Sequence, residues 1–322
     1  MFNSFIKAIG CAVLLAQAAF PAFADTWPSR PIKLVVPYPP GGSTDVTARV
    51  IAESLRPLLG QPVIIDNRPG AGGNIGAEAV AKSAPDGYTF LMATSTHVTN
   101  MSLYKNLPYD FVQDLAPVSQ TAFIPNVLVV GTNLPVGNLA EFIAYVKSGK
   151  YPVNYGTAGN GSSQHLSSAL FNSMVQGNMV HVPYKGGAPA TADLLAGQIQ
   201  AYFGPLVEVL PHIKGGKVKA LGITMKKRSP VLPDVPTIAE ALPGYEVALW
   251  NAILAPAKTP ADIVNKLNEA IVKVLNQADV KARFAEQGSE PVGSSPAEFK
   301  QFIAAEVGKW KELVRISGAK IE

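Results

Sequence analysis

The sequence predicts an α/β fold: a parallel sheet with helices on both faces, divided into two domains. Three observations predict it. Short apolar runs alternate with longer segments in which apolar residues recur at helical spacing, the pattern of strand–helix–strand units. A chain of 322 residues has room for one large or two medium domains. The same strand–Gly/Ser–helix turn also occurs twice, once in each half of the chain.

Taken in order, Ile32–Val36 is an apolar run that reads as a buried strand. Pro37, Pro39, Pro40, Gly41 and Gly42 end it. From Thr44 the pattern is helical, with Val46, Ala48, Val50, Ile51 and Leu55 leading to Gly60. The turn therefore lies where the first helix amides lack partners and the dipole is positive. Gly41 and Gly42 carry no side chain to hold a ligand off the backbone, and Ser43 can cap the helix or turn its hydroxyl outward. That is a candidate anion cradle. An ordinary strand–turn–helix connection with a serine cap explains this stretch alone at least as well.

Residues 63–65 are a second strand, 75–83 a helix and 89–92 a third strand, with Thr94-Ser95-Thr96-His97 at its carboxyl end. In open α/β sheets ligands bind there. Two strand-like runs, 116–119 and 126–130, flank Pro125 and read as a crossover into the second domain. That domain continues with helix 139–147, strand 153–155, the loop 156–163 and helix 164–175. Strand 179–182, helix 189–195, strand 201–203 and the segments 206–213 and 220–224 follow. Residues 250–255 are the return crossover, and helices 260–276, 279–287 and 296–317 complete the chain. The expected division is 25–124 with 252–322 as one lobe and 125–251 as the other.

Apolar residues are 48% of the chain and charged residues 16%, which suits a packed core and excludes disorder. Residues 1–24 read as a signal peptide: Lys7, an apolar run from 8 to 20, then Ala22-Phe23-Ala24 as the cleavage site. The mature protein is expected to start near Asp25, outside the cytoplasm, in the periplasm. Cys11 falls within the leader; Ala8-Ile9-Gly10-Cys11 precedes most of the apolar run, so a lipid anchor is rejected. Without it no disulfide or thiolate metal site remains. Removing Lys7, the leader's one charge, leaves 26 Lys+Arg against 23 Asp+Glu, a net +3. The basic residues are scattered, and Lys226-Lys227-Arg228 reads as an exposed loop, so no nucleic-acid partner is expected.

The second turn repeats the first: a strand ends at Tyr155, and Ser162-Ser163 stand at a helix start. Two such turns point to two helix N-termini converging on one cleft, where amides and hydroxyls hold an anion. Ser162, Ser163 and His165 invite a nucleophile–base reading, an exported serine hydrolase. Residues so spaced at a helix start face each other poorly, no G-x-S-x-G elbow occurs, and no acid orients His165. His165 reads as a cap or supporting residue. His97, His165, His181 and His212 show no ligand spacing, so no metal is expected. Gly70-Ala71-Gly72-Gly73-Asn74-Ile75-Gly76 misses the dinucleotide fingerprint by one position, and no cofactor is expected.

Several motifs together resemble the extracytoplasmic solute-binding receptors of tripartite tricarboxylate transporters, the Bug receptors. They are Pro40-Gly41-Gly42-Ser43-Thr44-Asp45, Asn67-Arg68-Pro69-Gly70-Ala71-Gly72-Gly73-Asn74 and Ala84-Pro85-Asp86-Gly87-Tyr88-Thr89. With them go Tyr155-Gly156-Thr157-Ala158-Gly159, Gly161-Ser162-Ser163-Gln164-His165-Leu166, Val182-Pro183-Tyr184-Lys185-Gly186-Gly187 and Pro211-His212-Ile213-Lys214. The resemblance implies a type II periplasmic-binding-protein fold, two Rossmann-like lobes closing on a small carboxylate. It implies a non-enzyme that acts as a monomer and delivers its ligand to membrane transporter subunits or signals to a sensor kinase. It also implies a ligand wall built from Tyr38, Gly41, Gly42, Ser43 and Thr44, from Ser95 and Thr96, and from Ala158, Gly159, Gly161, Ser162 and Ser163. Tyr184, Lys185 and Gly186 would lie near the cleft.

One departure bears on the ligand. Many relatives carry Phe-Asp-Asn where this chain has Phe203-Gly204-Pro205. Loss of that carboxylate argues against an α-amino acid, because a buried ammonium needs a counter-charge. Phe203, with Gly204 beside it, and Tyr38 would then flank the body of a mono- or dicarboxylate, including an aromatic one.

Overall fold

The computed structural model describes residues 27–319, and the expected leader, 1–24, lies outside them. Strands β1 (Ile32–Val36), β2 (Val63–Asn67) and β3 (Thr89–Thr94) form a parallel ladder with β1 in the middle. Helix α1 (Ser43–Leu59) follows β1 and buries Val50, Ile51, Leu55 and Leu59 on one face. It ends at Gly60, whose φ of 69° lets its amide turn back to the Arg56 carbonyl. Helices α2 (Asn74–Ala81) and α3 (Ser95–Leu103) follow β2 and β3.

The second parallel ladder has β5 (Asn154–Thr157) between β6 (Val180–Pro183) and β7 (Ala201–Pro205). Its helices are α4 (Leu139–Ser148), α5 (Ser163–Met174), α6 (Gly187–Leu195) and α7 (Leu206–Lys214).

Two long strands join the ladders. β4 (Leu115–Gly131) is one strand of 17 residues, where the sequence reads as two runs around Pro125. Its first part pairs antiparallel with β9 (Ala248–Pro256) as far as Pro125↔Ala248. From Asn126 it pairs antiparallel with β7 instead, and with β8 (Val218–Ile223) on its other edge. Proline lacks an amide hydrogen, so it is tolerated where the partner changes. β9 also pairs antiparallel with β3. The sheet is thus mixed and not parallel throughout, because the chain crosses between lobes once in each direction.

The remaining pieces are α8 (Ile238–Ala241), α9 (Ala261–Leu275), α10 (Ala278–Glu286), the two-residue strand β10 (Glu290–Pro291) and α11 (Pro296–Ser317). Helix α11 packs against α3 on one lobe, α5 on the other and β4 between them. One hydrophobic cluster accordingly runs from Val35 and Leu91 through Leu128, Phe171 and Phe203 to Trp250 and Phe299. No helix of the described residues is long and apolar enough to cross a membrane.

Candidate functional site

A cavity lies between the lobes where several helix N-termini meet, lined by Leu249 of the crossover strand β9 and, from one lobe, by Tyr38, Pro39, Gly42, Ser43, Thr44, Thr94 and Thr96. From the other lobe come Ala158, Ser162, Gln164, Gly186, Gly187, Ala188 and Glu208. The lobes touch beside it. A Cβ added to Gly186 would stand 3.0 Å from the Pro39 ring, and one added to Gly161 would stand 2.8 Å from Asn100 Oδ1. The cavity has room for about 30 Å³, water-sized, so a ligand needs the lobes or a side chain to move.

Helix α1 opens with Gly42 as its cap residue and has no side-chain cap, where the sequence offered Ser43 in that role. Ser43 is the first helical residue, and its amide donates to Glu208 Oε1 of the facing lobe at 2.7 Å. The preceding turn is held by Asp45. Its Oδ2 accepts from the Gly41 amide at 3.0 Å and from Arg49 Nε at 2.8 Å, and its Oδ1 accepts from Asn67 Nδ2 at 2.9 Å. Burial raises the Asp45 carboxyl, but the bonds from Arg49, Asn67 and Gly41 outweigh it and its pKa falls. Gly41, at φ +87°, faces this network and not the cavity.

Helix α5 behaves differently. Its cap, Ser162, accepts from the His165 amide and donates to the Gly159 carbonyl at 2.7 Å. The His165 ring Nδ1 accepts from the Gly161 amide and the ring stacks on His181, centroids 4.2 Å apart. Burial, then the neighbouring ring, pushes His165 down to about 3. The Ser162 hydroxyl is therefore structural, and the imidazole does not engage it. Gly159, Gly161 and Ser163 support the loop without reaching the cavity wall; the Ser163 hydroxyl donates to Gln164 Oε1.

Of the other expected site residues, Tyr38, Thr44, Thr96 and Ala158 line the cavity. The Tyr38 hydroxyl pairs with Thr94 Oγ1 at 3.3 Å, and Thr44 Oγ1 accepts from Asn251 Nδ2. Ser95 is fully buried behind the wall. Gly186 is on the wall, but Tyr184 and Lys185 are not.

Phe203 and Gly204 are corrections. Successive residues of a strand face opposite ways. Phe203 points into the core against Phe171, ring centroids 5.4 Å apart, and Gly204 is closed in by Tyr202 and Val209. Tyr202, on the opposite face of the strand, is buried behind the wall and donates its hydroxyl to the lining residue Glu208, at 2.9 Å from Oε2.

Sequence reasoning missed Glu208, and with it the acid facing the cavity. Its signal was present: an acidic residue in the first turn of the helix after β7, a place that glutamate also occupies merely to suit the dipole. Burial pushes its carboxyl above the usual range, and the bonds from Ser43 and Tyr202 hold it back in part. The absence of an acid after Phe203 therefore no longer argues against a ligand ammonium.

The chain matches the model of the tripartite tricarboxylate transporter family receptor over residues 47–318. The chain belongs to that family. It is 41% identical to protein BugT of Bordetella pertussis, over 98% of both chains. The R. palustris protein Rpa4515, solved with adipate, superposes with a TM-score of 0.89 at 40% identity, over 92% of this chain and all of that one. MatC of Rhodopseudomonas palustris, solved with bound malate, gives 0.85 at 36%, over 89% of this chain and all of that one. The protein is thus a Bug-type solute-binding receptor and not an enzyme, of a family of periplasmic binding proteins that take small carboxylates and work with membrane transporter components.

Proposed function

We propose that this receptor is exported by residues 1–24 and captures a small carboxylate between lobe 25–124 with 252–322 and lobe 125–251. As a monomer it then delivers that ligand to membrane transporter subunits. The observation that carries the reading is the Ser43 amide at the mouth of α1: it faces the other lobe without a side-chain cap and already holds a carboxylate oxygen at 2.7 Å. The ligand wall on this reading is Tyr38, Gly42, Ser43, Thr44 and Thr96 from one lobe and Ala158 and Ser162 from the other. A ligand touching both lobes binds only the closed arrangement and so shifts the population toward it.

Calorimetry and thermal unfolding against a panel of mono- and dicarboxylates, adipate and malate among them, test it. At a hundredfold excess over Kd a true ligand adds about 2.7 kcal/mol of stability. A panel in which no carboxylate binds or raises the Tm would refute the reading.

A further inference from the structure

We propose that Glu208 is an internal occupant of the carboxylate site. A ligand must displace it, and so it selects carboxylates that carry a hydrogen-bond donor beside the carboxylate, 2-hydroxy or 2-amino acids. The inference rests on the proposed function, since it takes the cavity to be the ligand site.

The Glu208 carboxylate is anchored from both lobes. Oε1 accepts from the Ser43 amide at 2.7 Å and Oε2 from the Tyr202 hydroxyl at 2.9 Å. It lies over the start of α6 as well: a Cβ added to Gly187 would come within 2.2 Å of Oε2, and one added to Gly42 within 3.4 Å of Oε1. Both helices open on a glycine and neither has a side-chain cap. The carboxylate therefore sits where two uncapped N-termini approach each other, the place their dipoles favour for an anion. Its partners are all uncharged. A ligand carboxylate would look for this same arrangement.

Two carboxylates cannot share the Ser43 amide. When a ligand takes it, Glu208 loses a donor inside the cleft and gains a like charge beside it. Both changes are unfavourable. A hydroxyl or ammonium on the ligand carbon next to its carboxylate reverses them, because it donates to the released Glu208. A ligand without such a group leaves that acceptor unmet.

The test has two arms. In the first, sodium formate is titrated while the Ser43 amide is followed by NMR. E208A should show a saturable shift at Ser43 and the wild type none. Where E208A does not fold, E208Q keeps the side chain's size and should show the same shift, because a neutral amide competes less well for the site. In the second arm calorimetry compares malate with succinate, which differ by one hydroxyl. The wild type should favour malate about tenfold, and E208A, or E208L where E208A does not fold, should bind the two within about twofold, because neither side chain can accept from the ligand hydroxyl.

The proposal is overturned if formate fails to bind the variant or shifts both proteins alike, and equally if the malate preference survives loss of the acceptor in E208A or E208L or is absent from the wild type. If neither dicarboxylate binds the wild type, the formate arm alone decides. Formate at the variant's Ser43 with no carboxylate bound by the wild type would uphold this proposal and sink the carboxylate-receptor reading. Carboxylate binding with both Glu208 arms negative would do the reverse.

Discussion

Glu306 shows how one buried acid can fix the position of a helix. It is 6% exposed and accepts from the indole Nε1 of both Trp250 on β9 and Trp310 one turn along its own helix. Both indoles are fully buried, so without Glu306 two donors lose their acceptor inside the core. Glu306→Ala is expected to lower stability by about 3 kcal/mol, and Glu306→Gln by less, because its carbonyl oxygen still accepts. Denaturant unfolding of the two variants measures the difference. The residue scale is also where sequence reading fell short. Alternation along β7 places Phe203 or Tyr202 on the cavity side, and without the register nothing distinguishes them. The register is fixed by pairing with β4, a strand more than 70 residues earlier.

At the scale of elements, most strands and helices were legible because each has an apolar run or a clean helical stripe. Helix α3 was not. Its first six residues, Ser95-Thr96-His97-Val98-Thr99-Asn100, are nearly all polar and yet buried, so no stripe marks it. Its start is signalled by the Thr94 cap and the His97 ring that accepts from the Thr94 amide at 3.0 Å. Helix α11, by contrast, announces itself through Ser295 and Glu298, whose side chains bond each other's amides before an apolar stripe. That helix packs on both lobes, and Phe299 in its first turn is fully buried against Trp250. Phe299→Ala should cost about 4 kcal/mol. The loss should appear as a lower midpoint of one transition; two separated transitions would show that α11 does not bind the lobes into one unit.

For the whole molecule, the cluster running from Val35 to Trp250 predicts that the lobes unfold together, as one cooperative thermal transition. Three buried imidazoles make it sensitive to acid. Burial pushes His97 and His181 down to about 4, and burial with its stacked neighbour pushes His165 to about 3. In the unfolded chain histidine takes up a proton near pH 6.5. Above that pH these groups are neutral in both states and their contribution is fully present. As the pH falls toward 4 the unfolded chain binds protons that the folded one refuses, and each imidazole removes about 1.4 kcal/mol per pH unit. The Tm is therefore expected to hold from pH 8 to 7 and fall between 6.5 and 4. His181→Asn should flatten that fall, and an unchanged slope would remove His181 from the account.

Both passages between the lobes are sheet strands bonded to each other until Pro125 meets Ala248, after which β4 changes partner. Such a pair of ribbons has no slack. Swinging the lobes apart must flex a laddered backbone about that exchange of partners, so the joint acts as a torsion spring whose rest angle is written into strand twist. On the proposed function, empty and loaded forms would then differ by a tilt between the two halves, and a transporter subunit would tell them apart by that angle.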